Sequence, residues 1–541
     1  MSEGKTGLEP ESPPGGKAGP APGRSRFFGR EAAALLVLLA LLAVSNVFWL
    51  RANKTPPSWD QAAHVAYCLD FHDLFKAWHP LQPTRPSFLL RLLKVSDYWP
   101  PFFHLSTVPV TLLLGFSPDT VCATLILYLI VLALSVYAIG RRFLTPGLAA
   151  AAAALTLLYP VIFGLSRTQL IDLPLTAMVA LVQALILKTG AGTRWKTAWM
   201  LGLAAGFCIL TKWTGPVFFA GPFLLVLVQA WRKKEAARWT MVLSLLLLAL
   251  LAVLIAFPWF QQNWTEFSHR MGRINSVDSI RLGSPRPFSL RAFAWYPIEI
   301  YRNLLTPPLF FFALLGAAGA AFRARKNRLL AFLGCWAAPS FIVFAGVPVK
   351  DDRFVVPVLP ALALLTVAGI GALPKPILRK TAMAGLFLAA GMQFFMYSFG
   401  WPVRMEYVFS SPPSSEHWPL PEMLAAVEGQ FGRQPLSIGI LPSLPYFNVS
   451  VFQYFNKIGR YPYEIRDVGN VPVTQQIIQD CDLLILKNDL LTIPGTAMYR
   501  EKFFETLKKR SGRAYGYYDW MHFRLPDKTN AYIFVKERLR R

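Results

Sequence analysis

The sequence predicts a polytopic α-helical membrane protein of about eleven transmembrane helices with a C-terminal α/β domain, and three observations lead there. Hydrophobic residues fill 54% of the 541 positions and charged residues only 16%, a balance too apolar for a soluble chain of this size. Between Glu31 and Gly400, continuous apolar runs recur at roughly 17–25 residues, the length that carries a helix across a ~30 Å hydrocarbon layer. After Trp401 the apolar runs shorten to strand length and alternate with helical stretches. Because the long runs are continuous rather than alternating, they favour helices over a barrel.

Residues 1–25, rich in Gly, Pro, Ser and Lys, cannot bury a core and read as a disordered cytoplasmic tail; the late, long first apolar run lacks a signal-peptide cleavage pattern. The spans fall near 31–50, 119–140, 147–165, 172–188, 197–211, 214–231, 239–259, 306–322, 329–347, 354–372 and 381–399. Basic clusters at Arg141-Arg142, Arg194 to Lys196, Arg232 to Lys234, Arg323 to Arg328 and Lys375 to Lys380 each follow an even-numbered span. The positive-inside rule therefore places all five in the cytoplasm. A cytoplasmic N-terminus and an extracytoplasmic C-terminus are therefore expected, with the inner (plasma) membrane as the expected location. A transmembrane unit over 26–400, with an outer loop at 51–118, precedes an extracytoplasmic domain over 401–541. The formal charge of +25 would suggest nucleic acid in a soluble chain. Here it sets orientation and meets anionic lipid or phosphate, so no nucleic-acid partner is expected. Five scattered cysteines without CxxC spacing indicate neither a zinc site nor a disulfide framework.

Chemistry is therefore expected on the outer face. In the first outer loop, Ser58-Trp59-Asp60-Gln61-Ala62-Ala63-His64 puts Asp60 and His64 at i and i+4 on one helix face. A carboxylate at the membrane boundary beside an imidazole can take a proton from a hydroxyl nucleophile. The plain alternative is a capping Asp and a surface His. Further along, Asp97-Tyr98-Trp99-Pro100-Pro101-Phe102-Phe103-His104 is aromatic and proline-stiffened, and opens a re-entrant or interfacial helix near 101–115. Ser166-Arg167-Thr168-Gln169-Leu170-Ile171-Asp172-Leu173-Pro174 places a second carboxylate, Asp172, at the outer end of the fourth span. Ionisable groups at membrane depth are functional candidates, although Asp172 also suits a helix N-terminus. Lys212-Trp213 and Lys350-Asp351-Asp352-Arg353-Phe354 add cations on the same face, suited to a phosphate whose lipid tail stays in the bilayer; snorkelling is the alternative for Lys212.

The order of these motifs resembles the GT-C glycosyltransferases, and most of all the dolichyl-phosphate-mannose protein mannosyltransferases and the bacterial aminoarabinose transferases. It runs from Trp59-Asp60 and His64 through Tyr98-Trp99-Pro100-Pro101, Arg141-Arg142, Arg167 and Asp172-Leu173-Pro174 to Thr211-Lys212-Trp213-Thr214-Gly215-Pro216. It ends with Arg353-Phe354-Val355-Val356-Pro357 and covers about residues 30–370. The resemblance implies inverting transfer of a sugar from a polyprenyl-phosphate donor to a lipid, glycan or protein acceptor on the extracytoplasmic face. It implies Asp60 as general base, Asp172 as an orienting acid, and Lys212 and Arg353 as holders of the carrier phosphate. His64, Tyr98, His104, Arg167 and Lys350 complete the expected substrate-binding set. Gln61 stands where many relatives carry a second acid. No metal ligand set is assigned, since His64, His104 and His269 do not make a convincing one; a divalent metal is left open because some relatives use one.

In the C-terminal part, strands are expected near 436–441, 463–468, 482–487 and 531–536, with helices near 446–457, 473–480 and 498–510. No phosphate-binding glycine loop occurs there, which favours acceptor recognition or cavity covering over a second catalytic centre. Trp418, Tyr446, Tyr517, Tyr518 and Trp520 are either sugar-stacking or core residues. The loop 260–305, with five arginines, either closes over a lipid phosphate or is a solvated connector. Two rival readings remain: a transporter or flippase of lipid-linked sugars, for which no internal repeat is seen, and an inactive relative.

Overall fold

The computed structural model describes residues 29–78, 87–232, 238–281, 283–321, 328–441, 443–468, 480–488 and 516–540. The expected tail at 1–25 and helix at 498–510 lie outside these residues. So do most of the expected helix at 473–480, most of the basic cluster 323–328, and residues 233–234 of another.

The chain opens with α1 (Arg30–Ala52). A polar-end segment follows, built of α2 (Trp59–Lys76), α3 (Phe88–Lys94) and α4 (Phe102–Leu114). The bundle continues through α5 (Pro118–Gly140), α6 (Pro146–Leu157), α7 (Pro160–Leu165), α8 (Asp172–Thr189), α9 (Trp195–Thr211), α10 (Gly215–Arg232) and α11 (Arg238–Arg273). Then come a π-turn at Ile274–Asp278, the single turn α12 (Ser279–Arg281), α13 (Leu290–Glu299) and a second π-turn at Ile300–Leu304. The last membrane helices are α14 (Thr306–Ala321), α15 (Arg328–Gly346), α16 (Leu359–Gly371) and α17 (Pro376–Phe399), with a 3₁₀ turn at Asp352–Val358 feeding α16. Among the described residues eight helices are long and apolar enough to cross a membrane. Three shorter apolar ones, α6, α9 and α14, coincide with expected spans.

Three expectations need correction. The span expected at 147–165 is two helices, α6 and α7, because Pro160 has no N–H to continue the ladder and the chain turns at Leu158–Tyr159 before restarting. The helix expected to end near residue 259 runs on to Arg273; its 36 residues span about 54 Å, well beyond a bilayer, so it projects past the membrane. The loop expected over 260–305 is therefore mostly helix. The helix expected near 101–115 is present as α4, 13 residues long and too short to span.

Close packing in the bundle uses small residues. Where α14 crosses α16, a side chain at Gly369 would stand 1.7 Å from the carbonyl oxygen of Gly316, so only glycine allows this approach.

The C-terminal domain is a five-stranded sheet in the order β2-β1-β3-β5-β4, formed by β1 (Ser437–Leu441), β2 (Glu464–Asp467), β3 (Leu483–Lys487), β4 (Tyr517–Arg524) and β5 (Asn530–Lys536). β1 lies parallel to β2 and β3, whereas β5 runs antiparallel to β3 and β4. Strand β3, central and buried on both faces, reads as the continuous apolar run expected of such a strand. Helices α18 (Leu420–Phe431) and α19 (Val449–Gly459) cover one face; α18 and β4 were not foreseen. Of the five aromatic candidates, Trp418 and Tyr517 are core, and all five pack against or within the domain's apolar clusters. The core is completed from outside the domain: Ala62 and Val65 of α2, fully buried, lie in the same apolar cluster as Ile438, Phe452 and Ile485.

Candidate active site

The end of the bundle that carries the C-terminal domain also carries a cavity of about 1100 Å³. Its wall collects helix termini that are remote in sequence: the start of α2 (Asp60, His64), the start of α8 (Asp172) and the turn after α9 (Lys212). The end of α11 (Met271) and the turn before α16 (Asp351, Arg353) complete the bundle's share, and Leu444 and Pro445 come from the C-terminal domain. Helix termini meet there because each span presents its polar first or last residues at the membrane boundary, leaving apolar ones inside.

Charge is concentrated on one wall. Lys212 Nζ donates to Asp172 Oδ1 at 2.9 Å, with side chains only 7% and 2% exposed. Arg353 lies between three carboxylates. Its Nε and Nη2 donate to Asp351, Nη2 also donates to Asp60 Oδ2 at 3.1 Å, and Nη1 stands 4.0 Å from Asp172 Oδ2. Asp60 is the accessible acid, 45% exposed. Trp59, just before it, holds a left-handed backbone conformation with φ 35°, unusual for a bulky residue and found where surroundings impose it. Lys350 also faces the cavity, but its ammonium donates to the carbonyls of Phe344, Ala345 and Val347 at the end of α15; burial lowers its pKa.

His64 is buried, not a surface residue: its Nδ1 lies 3.0 Å from Nε2 of His104, and its ring packs on Trp99. Burial, reinforced by the charges of Arg353 and Lys212, pushes the imidazole down to about 3. It is therefore a neutral wall element at physiological pH. The rest of the wall is apolar and aromatic, with Trp99 stacked on Trp213 at 5.6 Å and Tyr98 edge-on to both.

Asp60, Asp172, His64, Tyr98, Lys212, Lys350 and Arg353 thus meet in one cavity. Two expected residues do not join them. His104 is fully buried behind His64, which puts it out of a ligand's reach and makes it a support. Arg167, despite lying five residues before Asp172, points to α1, donating to Asn46 and Ser45 from a different cavity. The chain reverses between α7 and α8, so sequence proximity carries no common direction. Asp351, which grips Arg353 from two residues away, lay within the motif already noted; the 443–445 loop gave no sequence signal, because only the tertiary fold brings it here.

Among the described residues no group of three or more His, Cys, Asp or Glu side chains is placed to hold a metal ion, and Asp60 and Asp172 are each paired with a side-chain cation. A dication would have to displace a guanidinium and an ammonium.

No curated protein sequence matches the chain. Residues 99–259 match the family described as dolichyl-phosphate-mannose-protein mannosyltransferase. Among solved structures, ArnT from Cupriavidus metallidurans bound to undecaprenyl phosphate superposes with a TM-score of 0.53 at 15% identity, covering 93% of this chain and 98% of that one. The chain has a GT-C fold. The archaeal oligosaccharyltransferase AglB from Archaeoglobus fulgidus, in complex with an inhibitory peptide and a dolichol-phosphate, shares this fold at a TM-score of 0.55 and 12% identity, covering 93% of this chain and 74% of that one. Identities this low establish the GT-C architecture, and the glycosyltransferase family match rests on the α4–α11 segment.

Proposed function

We propose that the cavity is the active site of a membrane glycosyltransferase that moves a sugar from a polyprenyl-phosphate carrier to an acceptor hydroxyl, with inversion, on the extracytoplasmic face. The observation that carries this reading is the Asp60–Arg353–Asp172–Lys212 chain, two acids and two cations linked on the wall of one apolar cavity at the bundle's end. The polyprenyl phosphates bound by the ArnT and AglB structures support a lipid-phosphate donor here. Arg142, Arg194 and Arg328 gather at another cavity, away from the C-terminal domain, which supports a cytoplasmic placement for that end.

In this reading the carrier phosphate binds at Arg353 and Lys212, with its tail along the aromatic and aliphatic wall. Asp60 takes the proton of the acceptor hydroxyl as its oxygen attacks the anomeric carbon from the face opposite the phosphate. The sugar–phosphate C–O bond breaks with its electron pair passing to the phosphate oxygen, whose charge the two cations stabilise. Phosphate drawn to Arg353 competes with Asp60 for the same guanidinium, so donor binding frees the base. Asp172 holds Lys212 in place. No step requires a divalent cation.

A transporter reading has less support, since transporters hold their working charges near the midplane between repeated halves, whereas these lie at one end. The deciding experiment assays membranes for transfer from labelled polyprenyl-phosphate sugars with wild type and Asp60→Asn. Asp60 is half exposed, so the variant should fold normally and lose about 10²–10⁴-fold in rate. Full activity in Asp60→Asn removes the base assignment; movement of the lipid-linked sugar across vesicles without transfer would instead favour transport.

A further inference from the structure

The C-terminal domain lends the main cavity one stretch of backbone, the turn Leu444–Phe447 between β1 and α19, whose Leu444 and Pro445 line the wall. A reciprocal pair of backbone hydrogen bonds closes the turn, from Leu444 N–H to Phe447 O at 2.9 Å and from Phe447 N–H to Leu444 O at 3.2 Å. Leu444 and Phe447 are buried in the domain's apolar cluster. At the tip, the carbonyl oxygen of Pro445 accepts from the backbone N–H of Trp59 at 3.3 Å. That N–H is the first of α2, one of the few at a helix start that have no partner inside the helix. The bond therefore joins the domain to the residue just before Asp60, the same Trp59 that is held at φ 35°.

Asn448 fixes the carbonyl that makes this bond. It is 3% exposed; its Nδ2 donates to Leu444 O at 2.8 Å and to Pro445 O at 3.1 Å, while its Oδ1 accepts from Val451 N–H at 3.2 Å and caps α19. Capping is served as well by Ser or Asp, but holding two carbonyls at the same time takes a side-chain NH2. Among the described residues Arg353 is the side chain hydrogen-bonded to the Asp60 carboxylate. In the proposed reaction phosphate draws that guanidinium away, and the carboxylate is then placed by the backbone at the start of α2.

We infer that Asn448 is a positioning residue for the transfer reaction: by bracing the Leu444–Phe447 turn it keeps the Pro445 carbonyl on Trp59 and so sets where Asp60 meets the acceptor hydroxyl. The inference rests on Asp60 being the base; the brace from Asn448 through Pro445 to Trp59 does not. Carrier phosphate lies outside its reach, since Arg353 is held by Asp351 and Lys212 by Asp172.

The test combines amide hydrogen exchange with steady-state transfer from labelled polyprenyl-phosphate sugars, in the full-length protein in detergent, for wild type, Asn448→Ser, Asp60→Asn and the double variant. Asn448→Ser keeps a cap for α19 and removes the two donated bonds, so the amides of α19 and β1 should stay protected. The Trp59 amide should exchange about tenfold faster or more. The rate kcat should fall about 10–10²-fold with the donor KM within about twofold of wild type. In the Asp60→Asn background the same substitution should cost less than about twofold, because the brace acts through that carboxylate; a general loosening of the domain would cost as much there as in wild type. A wild-type kcat in Asn448→Ser, or equal losses in both backgrounds, overturns the positioning role. A Trp59 amide that exchanges in the wild type as an unprotected one overturns the brace without any variant, so the question is decided even if Asn448→Ser does not fold. Full transfer in Asp60→Asn, or no transfer by wild type, would sink the base reading and the role that rests on it, and exchange at Trp59 then decides the brace alone. Loss of transfer in Asp60→Asn beside an unaffected Asn448→Ser would do the reverse.

Discussion

The ammonium of Lys212 and the carboxylate of Asp172 form a 2.9 Å ion pair that is almost entirely shut off from water. Removing one member strands the other's charge, which typically costs about 3–5 kcal/mol. Arg353 Nη1, 4.0 Å from Asp172, offsets part of that for Lys212→Met. We expect Lys212→Met and Asp172→Asn each to lower the melting temperature in detergent, and the double variant to be more stable than the two losses added would give. Additive losses in this double-mutant cycle would show that the pair is not coupled.

Arg353 serves three carboxylates at once through a planar fork, which a single ammonium cannot reproduce. Arg353→Lys should therefore retain the charge yet lose transfer by about 10²-fold or more. Wild-type rates with lysine at this position would reduce the guanidinium to a bulk positive charge.

His64 is neutral in the folded protein, with its pKa pushed down to about 3 against about 6.5 when unfolded. Between those values the unfolded chain binds more protons, so this contribution to stability is fully present above about pH 6.5 and is lost as pH falls toward 3. Thermal scans should show an acid-side decline that is shallower in His64→Gln. Transfer, correspondingly, should show no histidine-like inflection near neutrality that disappears in that variant.

Asp60 and Asp172 are each paired with a side-chain cation. Transfer is therefore expected to persist in excess EDTA. Loss of activity on chelation, restored by magnesium or manganese, would require a different arrangement of Asp60 during turnover.

Val65 and Ala62 belong to the apolar cluster of the C-terminal domain while His64, between them in the helix, faces the site. Val65→Asp places an unpaired charge in that core, a change of several kcal/mol. Its signature should be faster proteolysis between α17 and α18 with transfer lost, while the membrane helices remain protected. An active, protease-resistant Val65→Asp protein would mean that α2 holds its place without the domain.

Most of the spans were legible because bilayer crossing demands long apolar runs whatever the tertiary packing. Asp172, Lys212 and Arg353 were legible because each sits at a span end, and Asp60 because it lies in the outer loop, all on one side of the charge pattern, where the structure brings them into one cavity. Arg167 and His104 show the limit: motif membership placed them near the site, but only packing decides that Arg167 turns to Asn46 and that His104 stands behind His64. The extension of α11 escaped notice because residues 260–273 are polar enough to read as loop once the membrane is left behind. The break at Pro160, by contrast, is carried by a residue that cannot donate to the helix ladder, but the apolar run continues through it and masks the interruption.

The sharing of Ala62 and Val65 between α2 and the sheet domain ties the two ends of the polypeptide to one event. A ribosome makes the helix bearing Asp60 early and the strands that cover its back much later. Until those last strands arrive, that helix has an uncovered oily flank and is held mainly by its packing against α4. In a nascent or truncated chain α2 gains its full cover only once roughly the final quarter has been translated and folded.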